Sequence, residues 1–410
     1  MKRSFVNISN LLTLRYDPTG SMPSTTNLRT INVEEISELR KNSGSYIPSS
    51  KDIEDAIRRI IRVKIDQSHV NHVSISLSAG IDSNVIFSLI RREFPNLDID
   101  CLTVTFDDSN EALDAKRIAE GQGAGFHQIH VQNPLKDLPM LLSIVKEPRW
   151  NIYQYYFIEK AKSLSNLLFT GDGGDELFAG YSFRYKKFFE NIATHSSWLK
   201  KVQMYLLCHE RDWVPDQEDM FGKRIKFSWS SVYNILKRFF DNDLDPLEQV
   251  LCADYHGKLI YDFAPTNEKY FKYFDIDGVA PMLDSEIVDM SIRIPASLKY
   301  DFANNIGKLP LREIISRNIT SYHIETRKVG YGMDLIQLWT KVGRDIVTSN
   351  LERARIFEDK IINREWYLKA MNRIDQTPDP RYISKMLQLL SLEVWYKLFI
   401  TSEINPQSYI

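Results

Sequence analysis

With 410 residues the chain is long enough to bury a large core and to fold as at least two structural units. Its 52 Lys and Arg nearly balance 54 Asp and Glu, and a net charge of −2 argues against a nucleic-acid or membrane-surface role. The 3 cysteines, Cys101, Cys208 and Cys252, lie far apart without a CxxC pair, which excludes a disulfide framework or cysteine-rich metal site and points to a reducing compartment.

Met1-Lys2-Arg3 could open a signal peptide, but Asn7, Ser9 and Asn10 break the apolar region that must follow. No run of about 18 apolar residues occurs, so the sequence predicts a soluble, cytoplasmic chain without a membrane span. Residues 11–16 predict a short strand, and 17–27, rich in Pro, Gly, Ser and Thr, a loop. Ser49 or Ser50 caps a helix running to about Asp66, with Ile53, Ile57, Ile60 and Ile61 on one face. Val73, Ile75 and Leu77 alternate with serines in a strand over 73–78. A tight turn and a helix over 83–93 follow, carrying Val85, Ile86, Phe87, Leu89 and Ile90. Next come a strand at 99–106, a helix at 109–121 with Leu113 and Ile118 facing in, and a strand at 126–131. Helices near 135–146 and 151–163 precede a fourth strand at 166–170. Such alternation predicts a doubly wound parallel α/β sheet, with ligands at the carboxyl ends of the strands. From about 184 the pattern is largely helical, broken by turn-like stretches at 212–219 and 241–246, and 283–400 reads as helices with short connections. Asp241, Asp243 and Asp245 begin like a calcium loop, but Pro246 stands where glycine belongs and Cys252 where the closing glutamate belongs, which rejects it. The expected divisions are an N-terminal segment at 1–50, an α/β core at 51–190 and a mainly helical extension at 191–410.

Two turns carry the chemistry. Ser78-Ala79-Gly80-Ile81-Asp82-Ser83 puts small residues, hydroxyls and unpaired N–H groups at a helix N-terminus, which suits an anion. Asp82 belongs in such a pocket if a cation such as Mg²⁺ accompanies the anion. An ordinary capped turn explains the same residues, and this loop alone leaves both readings open. Residues 167–181 decide between them. Leu-Leu-Phe-Thr-Gly-Asp-Gly-Gly-Asp-Glu-Leu-Phe-Ala-Gly-Tyr is again strand, glycine-rich turn and helix start, with Asp172, Asp175 and Glu176 crowded together. Folding alone does not call for that repulsion, and a bound cation would offset it.

Together the two stretches resemble the asparagine synthetase family of PP-loop ATP pyrophosphatases, which carries Ser-Gly-Gly-x-Asp-Ser and Ser-Gly-Asp-Gly-Gly-Asp-Glu-Leu-Phe-x-Gly-Tyr. The second motif is intact over 171–181, with Thr170 for serine, and the first has Ala79 for its first glycine. The segment 106–127 looks like the family's acidic turn, helix and Gly-x-x-His. Glu147-Pro148 matches its Glu-Pro pair, with Lys146 for the usual aspartate. Pro281-Met282-Leu283-Asp284, Lys308-Leu309-Pro310-Leu311-Arg312 and Arg327-Lys328-Val329-Gly330-Tyr331 resemble three further family segments.

The resemblance implies an adenine nucleotide α-hydrolase-like core and a two-step reaction. A carboxylate attacks the α-phosphorus of ATP with loss of pyrophosphate, and ammonia or an amine then displaces AMP to leave an amide. It places Leu77, Ser78, Gly80, Asp82, Ser83, Val104 and Gly171 at ATP, Asp82 and Asp175 on Mg²⁺, Lys308 at the α-phosphate, and Asp172 near the amine as a general base. The implied partners are a small-molecule carboxylate, aspartate by default, and ammonia or an amine, with a separate glutaminase subunit as one source. The family's glutaminase domain starts with a catalytic cysteine after Met. Here Lys2 stands there and the segment before the core is too short, so 1–50 is expected to be a remnant linker and glutamine not to be hydrolysed. Val279 stands where the family has arginine and Met282 where it has phenylalanine, so aspartate is not assured. A specialised amide- or lactam-forming ligase of the same mechanism is the alternative. A tRNA-modifying PP-loop enzyme would need a basic face, and for thiolation catalytic cysteines, and a non-catalytic relative would not need the acids and Lys308. Taken alone, Lys308 reads as a surface lysine. Arg312 and Lys328 are as much structural as functional, Glu147 reads as a helix-end residue, and the pairs His69/His72 and His127/His130 read as structural.

Overall fold

The computed structural model describes residues 7–19, 28–42, 44, 46–106, 111–193, 195–318 and 333–410. Lys2, the acidic turn after Phe106 and the stretch Arg327-Lys328-Val329-Gly330-Tyr331 lie outside them.

The expected strand at 11–16 is instead the helix α1 (Ile8–Leu14). Asn7 caps it by accepting from the Asn10 N–H, and Arg15, left-handed at φ 73, ends it. Ile8, Leu11, Leu12 and Leu14 are buried around it, so the apolar residues serve a helix face. Helix α2 (Val33–Lys41) follows, then α3 (Ser50–Ser68), which Ser49 opens with a capping box closed by Asp52. The α/β part then runs β1 (His72–Ser76), α4 (Ile81–Glu93), β2 (Asp98–Thr105), α5 (Glu111–Gly121), β3 (Gly125–His130), α6 (Leu138–Val145), α7 (Gln154–Lys162) and β4 (Leu167–Phe169). A fifth strand, β5 (Asp277–Val279), was not expected. Three residues reading Asp-Gly-Val show no alternation, and the strand arrives from the part of the chain expected to be helical.

The sheet order is β3-β2-β1-β4-β5, and every neighbouring pair is parallel. The chain therefore leaves β1 in both directions, and the order reverses between β1 and β4. Alternate residues feed opposite faces. Val73, Ile75, Cys101 and Phe169 join the core under α3 and α4, while Leu102, Val104 and Leu168 join the core under α6, α7 and the long helix Pro380–Phe399. On α5 the buried stripe is Ala112, Ala115, Ile118 and Ala119. Leu113, expected to face in, is 52% exposed because it falls off that stripe. His72 on β1 and His127 on β3 each meet Asp100 of β2 at 2.8 Å, and His69 takes a left-handed φ of 50 to end α3. None of the described helices is long and apolar enough to cross a membrane.

Lys385 is buried within Pro380–Phe399, donating to the carbonyl of Leu12, to that of Asp212 at 2.8 Å and to Gln388 Oε1 at 2.7 Å. Burial pushes its ammonium down to about 7. Below that pH both the folded and the unfolded chain hold the proton and the cost of burying the charge is full. Between there and the free-lysine value of about 10.4 only the unfolded chain keeps the proton, so stability rises with pH. The urea midpoint should therefore climb between about pH 7 and 9.5, and climb less in Lys385→Met; equal slopes would mean that the native lysine titrates normally.

Candidate active site

Loops that leave the carboxyl ends of β1 and β4 face each other where the strand order reverses, the crevice that open α/β sheets use for ligands. The first loop is tied by its own side chains. Ser83 Oγ accepts from the Ser78 N–H at 3.1 Å, Ser78 Oγ accepts from the Gly80 N–H at 3.1 Å, and Asn84 Nδ2 donates to the carbonyls of Ser78 and Gly80 at 2.9 and 2.7 Å. Gly80 is the N-cap of α4 and makes no side-chain cap bond, so the helix starts at Ile81 rather than at 83. Asp82 thus sits in the first turn of a helix whose leading N–H groups favour an anion. Ala79 is buried and is not among the residues with positive φ, so its methyl is accommodated without strain.

The second loop is pressed onto the first. A Cβ on Gly171 would lie 2.7 Å from the Ser83 nitrogen, and one on Gly174 would lie 2.3 Å from Asp82 Oδ1. Only glycine allows that approach. The short helix α8 (Gly174–Leu177) then carries Asp175 beside Asp82. Lys308 enters from far along the chain. Its Nζ is 2.5 Å from Asp82 Oδ2 and 2.6 Å from Asp175 Oδ1, and the residue is buried. Asp172 Oδ2 accepts from Thr170 Oγ1 and Asn267 Nδ2, each at 2.8 Å. Glu176 accepts from the Tyr181 hydroxyl at 2.6 Å, and burial with Asp175 alongside pushes its carboxyl up to about 7.

A cavity of about 850 Å³ opens over these loops, and Leu77, Ser78, Asp82, Ser83, Gly171, Asp172 and Asp175 line it. Gly80, Val104 and Lys308 are not on its wall: Val104 is packed in the core, and Lys308 reaches the site through the two aspartates. The remaining wall includes Arg15, Tyr153, Arg184, Lys258 and Asn267, for which the sequence carries no motif. Lys269 and Lys258 end a chain of alternating charges, Lys269, Glu147, Arg149, Asp262, Arg15, Asp212 and Lys258, each paired with the next. Within it burial brings Lys258 down to about 8 against the pull of Asp212, while Arg149 and Lys269 overcome burial to hold Glu147 at about 2. Glu147 is therefore tied into ion pairs. Arg312 Nε donates to the carbonyl of Gly307 at 2.7 Å, a structural use. Val279 and Met282 are both buried, and the Val279 carbonyl accepts from the Thr170 N–H at 2.9 Å.

Against known proteins, the family model described as asparagine synthase matches residues 53–397. The chain belongs to the asparagine synthase family. The glutamine-hydrolyzing asparagine synthetase 1 of Bacillus subtilis (strain 168) is 23% identical over 397 residues, an alignment covering 87% of this chain and 60% of that protein. The chain thus spans about 60% of the length of that curated relative. Among solved structures, an NH3-dependent NAD synthetase from Campylobacter jejuni subsp. jejuni NCTC 11168 aligns at 21% identity and a TM-score of 0.25, over 33% of this chain and 61% of that one. A likeness at that score supports nothing further.

For this synthase-family crevice the close approach of the loops is testable. Gly171→Ala sets a methyl against backbone atoms of Asp82 and Ser83 and should lower stability by about 1–3 kcal/mol in thermal denaturation. Gly174→Ala sets its methyl nearest to the Asp82 carboxylate, a side chain that can shift, so it should lower the melting temperature less than Gly171→Ala. Wild-type behaviour of both would show that the loops do not touch.

Proposed function

We propose that the chain is an ATP-dependent, AMP-forming amide ligase. It adenylates a carboxylate with release of pyrophosphate, then passes ammonia or an amine to the acyl group to give an amide and AMP. One observation carries the reading: Asp82 and Asp175, from two loops at the strand-order reversal, converge on one buried cation beside a helix N-terminus. Membership of the asparagine synthase family supports it.

The donor set fits Mg²⁺, because hard carboxylate oxygens already come close enough to share one cation, and Mg²⁺ commonly takes one or two carboxylates and completes its shell with water and phosphate oxygens. Asp82 and Asp175 would hold it, and the ion would neutralise charge on the phosphates. Among the described residues no three His, Cys, Asp or Glu side chains form a metal cluster, which suits an ion shared with substrate. In this reading Ser78, Ser83 and the leading N–H groups of α4 hold the pyrophosphate, and Leu77 and Gly171 border the nucleotide. The acceptor carboxylate forms a bond to the α-phosphorus as the bond to pyrophosphate breaks, and Lys308 stabilises the charge that develops. The nitrogen then bonds the acyl carbon, the bond to AMP breaks, and Asp172 takes the proton.

Aspartate is the first acceptor to try. A second reading, a ligase for another carboxylate, is favoured by Val279, a buried apolar side chain where the family has arginine. The amine source is ammonia, a separate glutaminase subunit or a substrate amine.

The test is pyrophosphate release with ATP, Mg²⁺ and a panel of carboxylates, with and without ammonium. Release that needs both a carboxylate and a divalent ion is expected, and release with neither would sink the reading. Asp82→Ala and Asp175→Ala should abolish AMP formation in a folded protein. Lys308→Met keeps the aliphatic stem and should slow single-turnover AMP formation roughly a hundred- to thousandfold, with a much smaller loss of ATP affinity. Near-normal AMP formation by that variant would remove Lys308 from the chemistry.

A further inference from the structure

One long helix runs through Pro246–Asp254, Tyr255–Phe263 and Ala264–Phe274, α-helical, then π-helical, then α-helical. π-Helical hydrogen bonds span five residues, and such segments are rare and concentrate at functional sites. Here the register decides what faces the cavity. Lys258 and Phe263 are one π hydrogen-bond span apart, Phe263 and Asn267 about one α turn, and all three line the cavity, as does Leu259. In an unbroken α-helix, Lys258 and Phe263 would point about 140° apart.

Asn267 is buried, and its Nδ2 donates to the Asp172 oxygen that also accepts from Thr170. An ionised carboxylate only accepts, so the amide NH₂ must face it and the side chain's orientation is fixed. The other end, Asn267 Oδ1, is buried without a hydrogen bond among the described residues. A residue retained for packing alone would not carry that cost.

We propose that Asn267, together with Thr170, is a positioning residue for the nitrogen half of the reaction, with the π segment setting the register that brings it to Asp172. Resting on the ligase reading above, the inference adds that Asp172 works only when held by these two donors. The step they serve is attack of ammonia or an amine on the acyl-adenylate. A nitrogen–carbon bond forms, the carbon–oxygen bond to AMP breaks with its electron pair leaving on AMP, and one proton passes from nitrogen to Asp172. Asn267 and Thr170 act through Asp172 and do not touch the reacting atoms.

The experiment uses full-length protein and the carboxylate that gives pyrophosphate release with the wild type. Asn267→Leu and Thr170→Val remove one donor each at similar volume, and Thr170→Ser restores the hydroxyl. In single turnover the variants should release pyrophosphate within about twofold of wild type, while amide formation falls about ten- to a hundredfold for each lost bond to the charged group. KM for ammonium should rise, the pH profile of amide formation should shift, and Thr170→Ser should behave as wild type. Equal losses of pyrophosphate and amide, or undiminished amide formation, overturn the proposal. Should Asn267→Leu fail to fold, Thr170→Val decides. Absence of pyrophosphate release from the wild type with every carboxylate overturns the ligase reading itself, an outcome visible before any variant is made.

Discussion

The ammonium of Lys308 between Asp82 and Asp175 is the contact on which the crevice depends. Two carboxylates at low exposure repel and are costly to bury, and a shared cation at hydrogen-bond distance lets both stay charged. The three residues come from the loop after β1, the loop after β4 and a segment well over a hundred residues further on. Their meeting requires β1 and β4 to be neighbours, which the sheet order supplies. The backbone fixes the lysine as firmly as its charge does. Lys308 adopts a left-handed φ of 60, its N–H donates to the Phe178 carbonyl at 2.9 Å, and the Leu309 N–H donates to the Lys299 carbonyl at 3.1 Å. The helix Leu309–Asn318 that follows buries Leu311 and Ile314 in the core shared with α3 and α4, so the lysine is anchored to the same layer as the first loop.

A second electrostatic element supports the other wall. Buried ion pairs are weak evidence for stability, since desolvation offsets much of their attraction, but they specify which groups must meet. The alternating chain from Lys269 to Lys258 does this across four separated stretches. Arg15 is its central link, meeting both Asp262 and Asp212, and its carbonyl accepts from Arg149 at 2.8 Å. This gives α1 a purpose that its composition hides. Residues 8–14 bury an apolar face so that the next residue reaches the cavity, and Lys385 and Gln217 both bond the Leu12 carbonyl.

What was legible in the sequence follows from what is local. Alternation in β1 and the glycine–acid turns report structure within a few residues, so four strands and both loops could be read, although the ends of the elements shifted by one to three residues. The strand β5 is too short to alternate, and α1 has too few turns to show a helical period against the competing strand pattern. Hydrophobicity points to Leu113 as well as Ile118, whereas three alanines complete the buried stripe of α5 with Ile118. Asn267 and Lys258 escaped notice because their register is set by a π segment, for which the sequence offers no periodic signal. The cations facing Asp212 and Asp262 escaped for a different reason: ion pairs over long sequence separation leave no trace in spacing.

Three departures from the family motifs can be weighed by the physics each position needs. Glycine matters at Ala79 only if the backbone must turn left-handed there, and it does not. The turn is instead closed by Ser78, Ser83 and Asn84, whose side chains occupy the groups the loop would otherwise leave open, so a buried methyl beside them is neutral. Thr170 in place of serine keeps the hydroxyl that donates to Asp172 and adds a methyl beneath a strand end, where β-branching is favourable. Val279 is of another kind, because replacing a cation by a buried aliphatic side chain removes a charge that no neighbouring hydroxyl can restore. The two loops thus keep the hydrogen-bonding groups of the family motifs, while the change that alters charge falls at Val279.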